Sequence, residues 1–381
     1  MKRWLAIANI LLAAGCILTA SESAGSVNVG GLADFVAKNS GELDFTNDTF
    51  KGFSNFHTSR VRVFLDTEIS KKSFFFVQFM VDNYVVSLYG AYARFEDIVQ
   101  NYVNIQLGFL PTTVGTFAAR TYSNVNPLIG TPLLYNHHTS LIPSDGAPIG
   151  NIDNLVSLKD TRSNRGLPII YDACWNSGVE IYGSSGRFNY SVGVLAGSVT
   201  KPLQEQLKNV PQLTTHLSYA FHPGLNAGIS GYYGPYLFKG GFSDTLAAGQ
   251  SLNDFINSGL GYEFYAARGY LDIYSEAFYS QWQYPGLPHL SAFGGYIEAK
   301  YKFIPGWHVA ARYDIFQPDR VKTSDGRSTR WDHEIHRYEL GVGYRFSRNI
   351  LTKLVTQLNR LPAAGHLNSD LYALQISIDF R

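Results

Sequence analysis

Cysteine is almost missing from this 381-residue chain, which has only Cys16 and Cys174. Cys16 falls in an N-terminal stretch that reads as a leader, so the remaining thiol has no intramolecular partner and disulfides are excluded as a brace. Charge is scarce as well. Asp, Glu, Lys and Arg make up 16% of the residues, against ~25% in ordinary soluble domains. The net charge of +1 gives no bulk attraction to nucleic acid or to an acidic partner. Beyond the leader no stretch reaches the ~18 uninterrupted apolar residues of a membrane helix, which excludes helical spans. Also missing are a G-x-S-x-G elbow, H-E-x-x-H, a phosphate-cradling G-x-x-x-x-G-K-[ST] and a helix-opening G-x-G-x-x-G. No enzymatic step and no cofactor are therefore expected.

Aromatic residues and glycine are plentiful, with 25 Tyr, 25 Phe and 36 Gly. The first residues, MKRWLAIANILLAAGCILTASESAGS, join a basic start at Lys2-Arg3 to an apolar core and then to small residues. This is the pattern of a secretory leader, taken here as residues 1–24. A lipidated Cys16 is the alternative. Residues 25–381 then form one exported domain.

Several segments of that domain alternate between apolar and polar residues, the period-two mark of strands between two environments. Val61, Val63 and Leu65 oppose Arg60, Arg62 and Asp66; Tyr338, Leu340 and Val342 oppose Arg337 and Glu339; Tyr372, Leu374, Ile376, Ile378 and Phe380 oppose Gln375, Ser377 and Asp379. The apolar rows often end in Tyr, Trp or Phe, as the aromatic girdle of a membrane barrel requires. Sixteen strands are expected, with fourteen to eighteen as the range, starting near residues 27, 55, 72, 84, 101, 175, 187, 212, 225, 258, 270, 292, 307, 334, 350 and 370. Connections after even-numbered strands are short. Those after odd-numbered strands are mostly long, the exception being a tight turn at Asp82-Asn83. Loop length sorted by parity fits a transmembrane up-and-down antiparallel β-barrel with both termini periplasmic. It gives a soluble sandwich no advantage. Closure follows from the cost of leaving edge N–H and C=O groups unpaired in lipid.

The segments LGFLPTTVGTF (107–117) and NPLIG (126–130) resemble the end of a strand and the start of the constriction loop in bacterial outer-membrane porins, notably the phosphate-selective porin-like group. LYALQISIDF (371–380) is similar to the C-terminal assembly signal of porins, although Arg381 follows the aromatic Phe380. The resemblance implies a homotrimer in outer-membrane lipid and lipopolysaccharide, handled by the barrel-assembly machinery through its last strand. It implies passive diffusion of small hydrophilic solutes or ions. Phosphate selectivity does not carry over. Expected inward-facing Arg60, Arg62, Lys72, Arg94, Lys300, Lys302, Arg312 and Arg337 are matched by Asp66, Glu68, Asp272, Glu276, Glu298, Asp314 and Glu339.

The connection from Leu110 to Asp172 is far longer than ordinary loops, which makes it functional or disordered. Its Leu128, Ile129, Leu133, Leu134, Tyr135, Leu141 and Ile142 call for burial, and Pro127, Pro132 and Pro143 stiffen it. It is expected to fold inward between strands 5 and 6 and narrow the bore. Arg120, His137, His138, Asp145, Asp153, Arg162 and Arg165 would then face the opening, together with the wall residues Arg60, Arg62, Glu298, Lys300, Arg312, Arg337 and Glu339. The adjacent His137 and His138 point apart on an extended segment and lack companions at ligand spacing, so no metal site is expected. Two alternatives stand beside the porin: a barrel enzyme such as a phospholipase, prompted by Ser140 near His137 and His138, and a plugged structural or adhesive barrel.

Overall fold

The structure, a computed structural model, describes residues 26–40, 58–82, 85–100, 102–111, 114–142, 149–162, 166–171, 175–201, 210–237, 246 and 248–380. The expected leader, Asp145 and Arg165 lie outside the described residues. Sixteen strands close into one antiparallel barrel. In chain order they are β1 (Val27–Ser40), β2 (Thr58–Ser70), β3 (Ser73–Asp82), β4 (Val85–Val99), β5 (Val103–Pro111), β6 (Trp175–Ser185), β7 (Phe188–Leu195), β8 (Gln212–His222), β9 (Leu225–Pro235), β10 (Ile256–Arg268), β11 (Leu271–Trp282), β12 (Leu290–Ile304), β13 (Trp307–Pro318), β16 (Ile335–Arg345), β17 (Ile350–Arg360) and β18 (Ser369–Phe380). Two further strands, β14 (Arg320–Lys322) and β15 (Ser328–Arg330), form a separate hairpin in the connection between β13 and β16.

Each barrel strand pairs with its sequence neighbours, and β1 pairs with β18 to close the ring. Short turns at one end depend on glycine: Gly186, Gly224, Gly269 and Gly306 have φ between +60° and +88°, a region that L side chains avoid. At the closing seam Gly31 lies under the Phe380 ring, where a Cβ would fall 2.1 Å from the ring carbon Cζ. The last aromatic therefore sits directly over the first strand.

The two rows of each strand have opposite fates. On β16 the apolar Tyr338 and Leu340 are 50% and 58% exposed, whereas the alternating Arg337 and Glu339 are 0% and 3% exposed. Outward residues of β18 repeat the pattern, with Tyr372, Leu374 and Ile376 exposed and Gln375 and Ser377 buried. A soluble sandwich would do the reverse, because apolar rows gain by leaving water. Near the short turns the outward rows end in contacting rings: Trp307 with Tyr344 at 4.7 Å, Tyr344 with Phe346 at 4.7 Å, and Phe188 with Tyr219 at 4.6 Å.

The apolar core lies inside the barrel. The long connection after β5 turns inward and carries two helices, α1 (Leu133–Asn136) and α2 (Ile152–Arg162). Neither is expected from hydrophobic periodicity. α1 starts after Pro132, and α2 is capped by Asn151, whose Oδ1 accepts the Asn154 amide at 2.9 Å. Leu133, Leu134 and Tyr135 pack with Phe278, Trp282, Phe316 and Trp331, and Leu128 and Ile129 pack with Val36, Ala310, Val355 and Ala373.

Candidate functional site: the lumen and its inward loop

An irregular segment inside a barrel has no ladder to satisfy its backbone, so the wall has to supply donors and acceptors. Lys353 on β17 does this most fully. Its ammonium donates to the carbonyls of Ser123, Asn126 and Leu128 at 2.9, 3.0 and 2.8 Å, and the residue is 1% exposed. Arg337 on β16 donates to the Thr131 carbonyl at 3.1 Å and to Asn359 at 2.8 Å. Asp314 on β13 accepts the Leu133 amide at 3.0 Å. Glu276 on β11 accepts the Thr116 amide at 3.2 Å and the hydroxyls of Thr116, Tyr135 and Tyr296.

The charges of this arc also satisfy one another. Arg312 bridges Glu298, Asp314 and Glu339 at 3.1, 3.3 and 2.6 Å, and all four side chains are buried. Arg120, from the loop, pairs with Glu298 and lies over the Tyr274 ring, with Cζ 3.4 Å from its centroid. The loop then reaches another part of the wall. Tyr122 donates to Gln78 on β3 at 2.9 Å, Ser123 bonds Asp34 on β1, and Asn124 donates to Asp379 on β18 at 2.8 Å. Residues 116–135 thus contact β11–β13, then β1, β3 and β18, then β16 and β17, and return to β11.

The arc from β2 to β6 is different. Arg60 pairs with Asp82 at 2.6 Å, Lys72 with Asp97 at 2.5 Å and Arg94 with Glu96 at 2.9 Å, all with part of the side chain accessible. Between them runs a chain of rings. Tyr122 meets Phe64 at 5.7 Å, Phe64 meets Phe76 at 6.4 Å, and Phe76 meets Tyr92 at 5.2 Å and stacks on Trp175 at 6.4 Å. Gly90 makes room for this group, since a Cβ there would lie 2.3 Å from the Trp175 ring.

The expected pore residues separate accordingly. Arg120, Glu298, Arg312, Arg337 and Glu339 are anchors beneath the loop, buried because the loop requires partners for its backbone. Arg62 is also buried, 3.4 Å from Asp34 and with Cζ 5.2 Å from the Tyr122 centroid. His137 is fully buried against Phe316, with ring centroids 4.4 Å apart and no hydrogen bond to either ring nitrogen. Burial holds its imidazole well below the ordinary histidine range, and the nearby His333 adds to this. His138 is half-buried, its Nδ1 2.8 Å from the Gly166 carbonyl. Asp153 on α2 accepts the Ser324 amide at 3.0 Å, which ties the loop to the β14–β15 hairpin. Arg162 ends α2; its side chain, like Asp145 and Arg165, lies outside the described residues. Arg60 and Lys300 retain accessible surface. Lys353 and Asp34 were missed by sequence reasoning. The signal was present in β17, where one Lys interrupts the inward row Leu351, Val355 and Gln357.

No family model and no curated protein matches the chain. Solved structures do. A loop L8 deletion mutant of OmpT, an outer membrane protein of Vibrio cholerae, superposes with a TM-score of 0.59 at 13% identity, over 94% of this chain and 100% of that one. The anion-selective porin from Comamonas acidovorans gives 0.58 at 12%, over 93% and 100%. The outer membrane channel DcaP of Acinetobacter baumannii gives 0.57 at 12%, over 94% and 99%. The chain has a porin-type barrel fold. At these identities the likeness carries the barrel alone and does not extend to the phosphate-selective branch that residues 107–130 resemble.

Proposed function

We propose that the protein is an outer-membrane porin, through which small hydrophilic solutes or ions diffuse passively along the β2–β6 side of the lumen. One observation carries the reading: apolar rows face outward and exposed, while polar and small residues, with charged ones on many of the strands, face inward. That inversion is stable where lipid replaces water outside. The inward loop narrows the bore, and Arg60, Asp82 and Arg94 line what is left. Lipid, lipopolysaccharide and the assembly machinery acting on β18 are the partners this reading implies, with both termini periplasmic. Homotrimerisation belongs to the same proposal; one form of Vibrio cholerae OmpT is described as a trimer.

No chemical step is part of the proposal. Ser140, the serine near the paired histidines, is fully buried, and Asp332 accepts its amide at 2.6 Å and its hydroxyl at 3.2 Å. Phospholipid turnover that vanished in Ser140→Ala would replace the porin with a barrel enzyme. The second reading is a plugged barrel, favoured by the depth at which residues 128–141 are packed. Planar-bilayer recording separates the two. A porin gives stepwise conductance, and Arg60→Ala moves its reversal potential toward cation preference. Silence from correctly folded protein assigns the plug.

A further inference from the structure

The short-turn end of the lumen holds two cavities that share the loop residues Asn124 and Val125. One, of about 470 Å³, has Lys300, Lys302, His308 and Arg345 in its lining and no carboxylate. The other, of about 750 Å³, has Asp66 and Asp379 and no basic group. Its bulkiest lining residues are the aromatic Phe64, Phe76 and Tyr122. Like charges have been sorted to either side of the loop tip; rings occur in both linings, with Tyr270, Phe303 and Trp307 on the basic side.

We propose that the acidic, aromatic cavity is a binding site for a small organic cation bearing an ammonium or quaternary ammonium group. A ring face attracts a cation through its quadrupole, and more strongly when the site is partly desolvated. This ring group already accepts one, since the Arg62 guanidinium carbon lies 5.2 Å from the Tyr122 centroid. Among the described residues Asp66 has no ion pair, and its carboxylate accepts one side-chain hydrogen bond, from the Asn28 amide at 3.0 Å. It supplies the opposite charge that a polyol site would not need. The volume lies in the range of ordinary small-molecule sites. An anion would meet two carboxylates here and find a better place across the loop tip.

The test is calorimetric titration of the folded barrel in detergent with choline and with its neutral isostere 3,3-dimethylbutan-1-ol. Choline binds saturably, and the alcohol at least roughly tenfold more weakly, because only the charge differs. Asp66→Asn and Phe64→Leu each weaken choline several-fold, and Lys302→Met, in the other cavity, leaves it unchanged. Equal binding of the alcohol overturns the proposal. So does silence with choline, or binding of glucose in its place. The readout requires no conductance, so a conducting barrel that ignores choline removes the site and leaves the porin reading intact.

Discussion

Two arcs of the same wall, β11 to β18 and β2 to β6, have the same alternation and the same inward Arg, Lys, Asp and Glu, yet those residues do different work. In the first arc Arg312, Arg337 and Lys353 are sealed under the loop and satisfy its carbonyls or its acidic neighbours. In the second, Arg60 and Arg94 make ion pairs that keep accessible surface. An inward charge therefore either joins the wall to the loop or keeps accessible surface in the lumen, and the path of one loop decides which.

The largest break in that contrast comes from Arg312→Leu. It leaves Glu298, Asp314 and Glu339 buried without their shared cation, which should cost ~3–5 kcal/mol. The loss appears as a lower temperature for the mobility shift of folded barrel on unheated gels. The same change at Arg60 should cost less than ~1 kcal/mol, because its pair with Asp82 keeps contact with water that screens it and can re-solvate the partner. Comparable losses at both positions would erase the distinction between the arcs.

Lys353→Met comes next. It keeps the apolar stem of the side chain and removes the donor to three carbonyls, at about 2–3 kcal/mol for charged hydrogen bonds left unmade. The barrel ladder is untouched, so the expected signature is local: residues 123–128 become accessible to protease, and single-channel recordings gain noise. A quiet channel with a protected loop would show that apolar packing alone holds the segment.

The ring itself is legible in the sequence. Strand starts expected near 27, 175, 212, 225, 307 and 350 are those observed, because period-two alternation and glycine turns are local signals. Loop parity stated the topology. Burial of the inward charges was not legible, since it depends on which strands a distant loop crosses, and no local pattern encodes that. Some missed details did have signals. Asp325-Gly326 is a hairpin dipeptide between β14 and β15, and Asn151 is a helix cap ahead of α2. Both sit in connections outside the alternating segments, where the signal is a turn or cap residue rather than a period.

Tyr122 links the two arcs, with its hydroxyl on β3 and its neighbour Ser123 on β1 and β17. Tyr122→Phe removes one hydrogen bond and keeps the ring, so stability should fall by only about 1 kcal/mol. Tyr122→Ala removes the ring as well. If the ring chain from Phe64 to Trp175 borders the bore, the alanine variant raises conductance and the phenylalanine variant does not. Equal conductance in both would place the bore elsewhere.

The smallest expected effect is a pH dependence confined to the anchored arc. His137 is buried and neutral, packed on Phe316 with His333, His138 and Arg337 as its charged or titrating neighbours. Its folded-state pKa is depressed, so above about 6.5, the ordinary histidine value, both folded and unfolded forms are neutral and it contributes nothing to the pH dependence. As pH falls below that value the unfolded loop takes up the proton first, and stability declines until the folded pKa is reached. Trp282 and Trp331 belong to the same core cluster and report the change by fluorescence. Between pH 7 and pH 5 (about one unit above the ordinary carboxylate range) their emission should shift toward that of exposed indole at progressively lower temperature. His137→Phe should flatten that slope. A slope unchanged in His137→Phe would assign the acid sensitivity to the barrel wall and remove the pH difference between the two arcs.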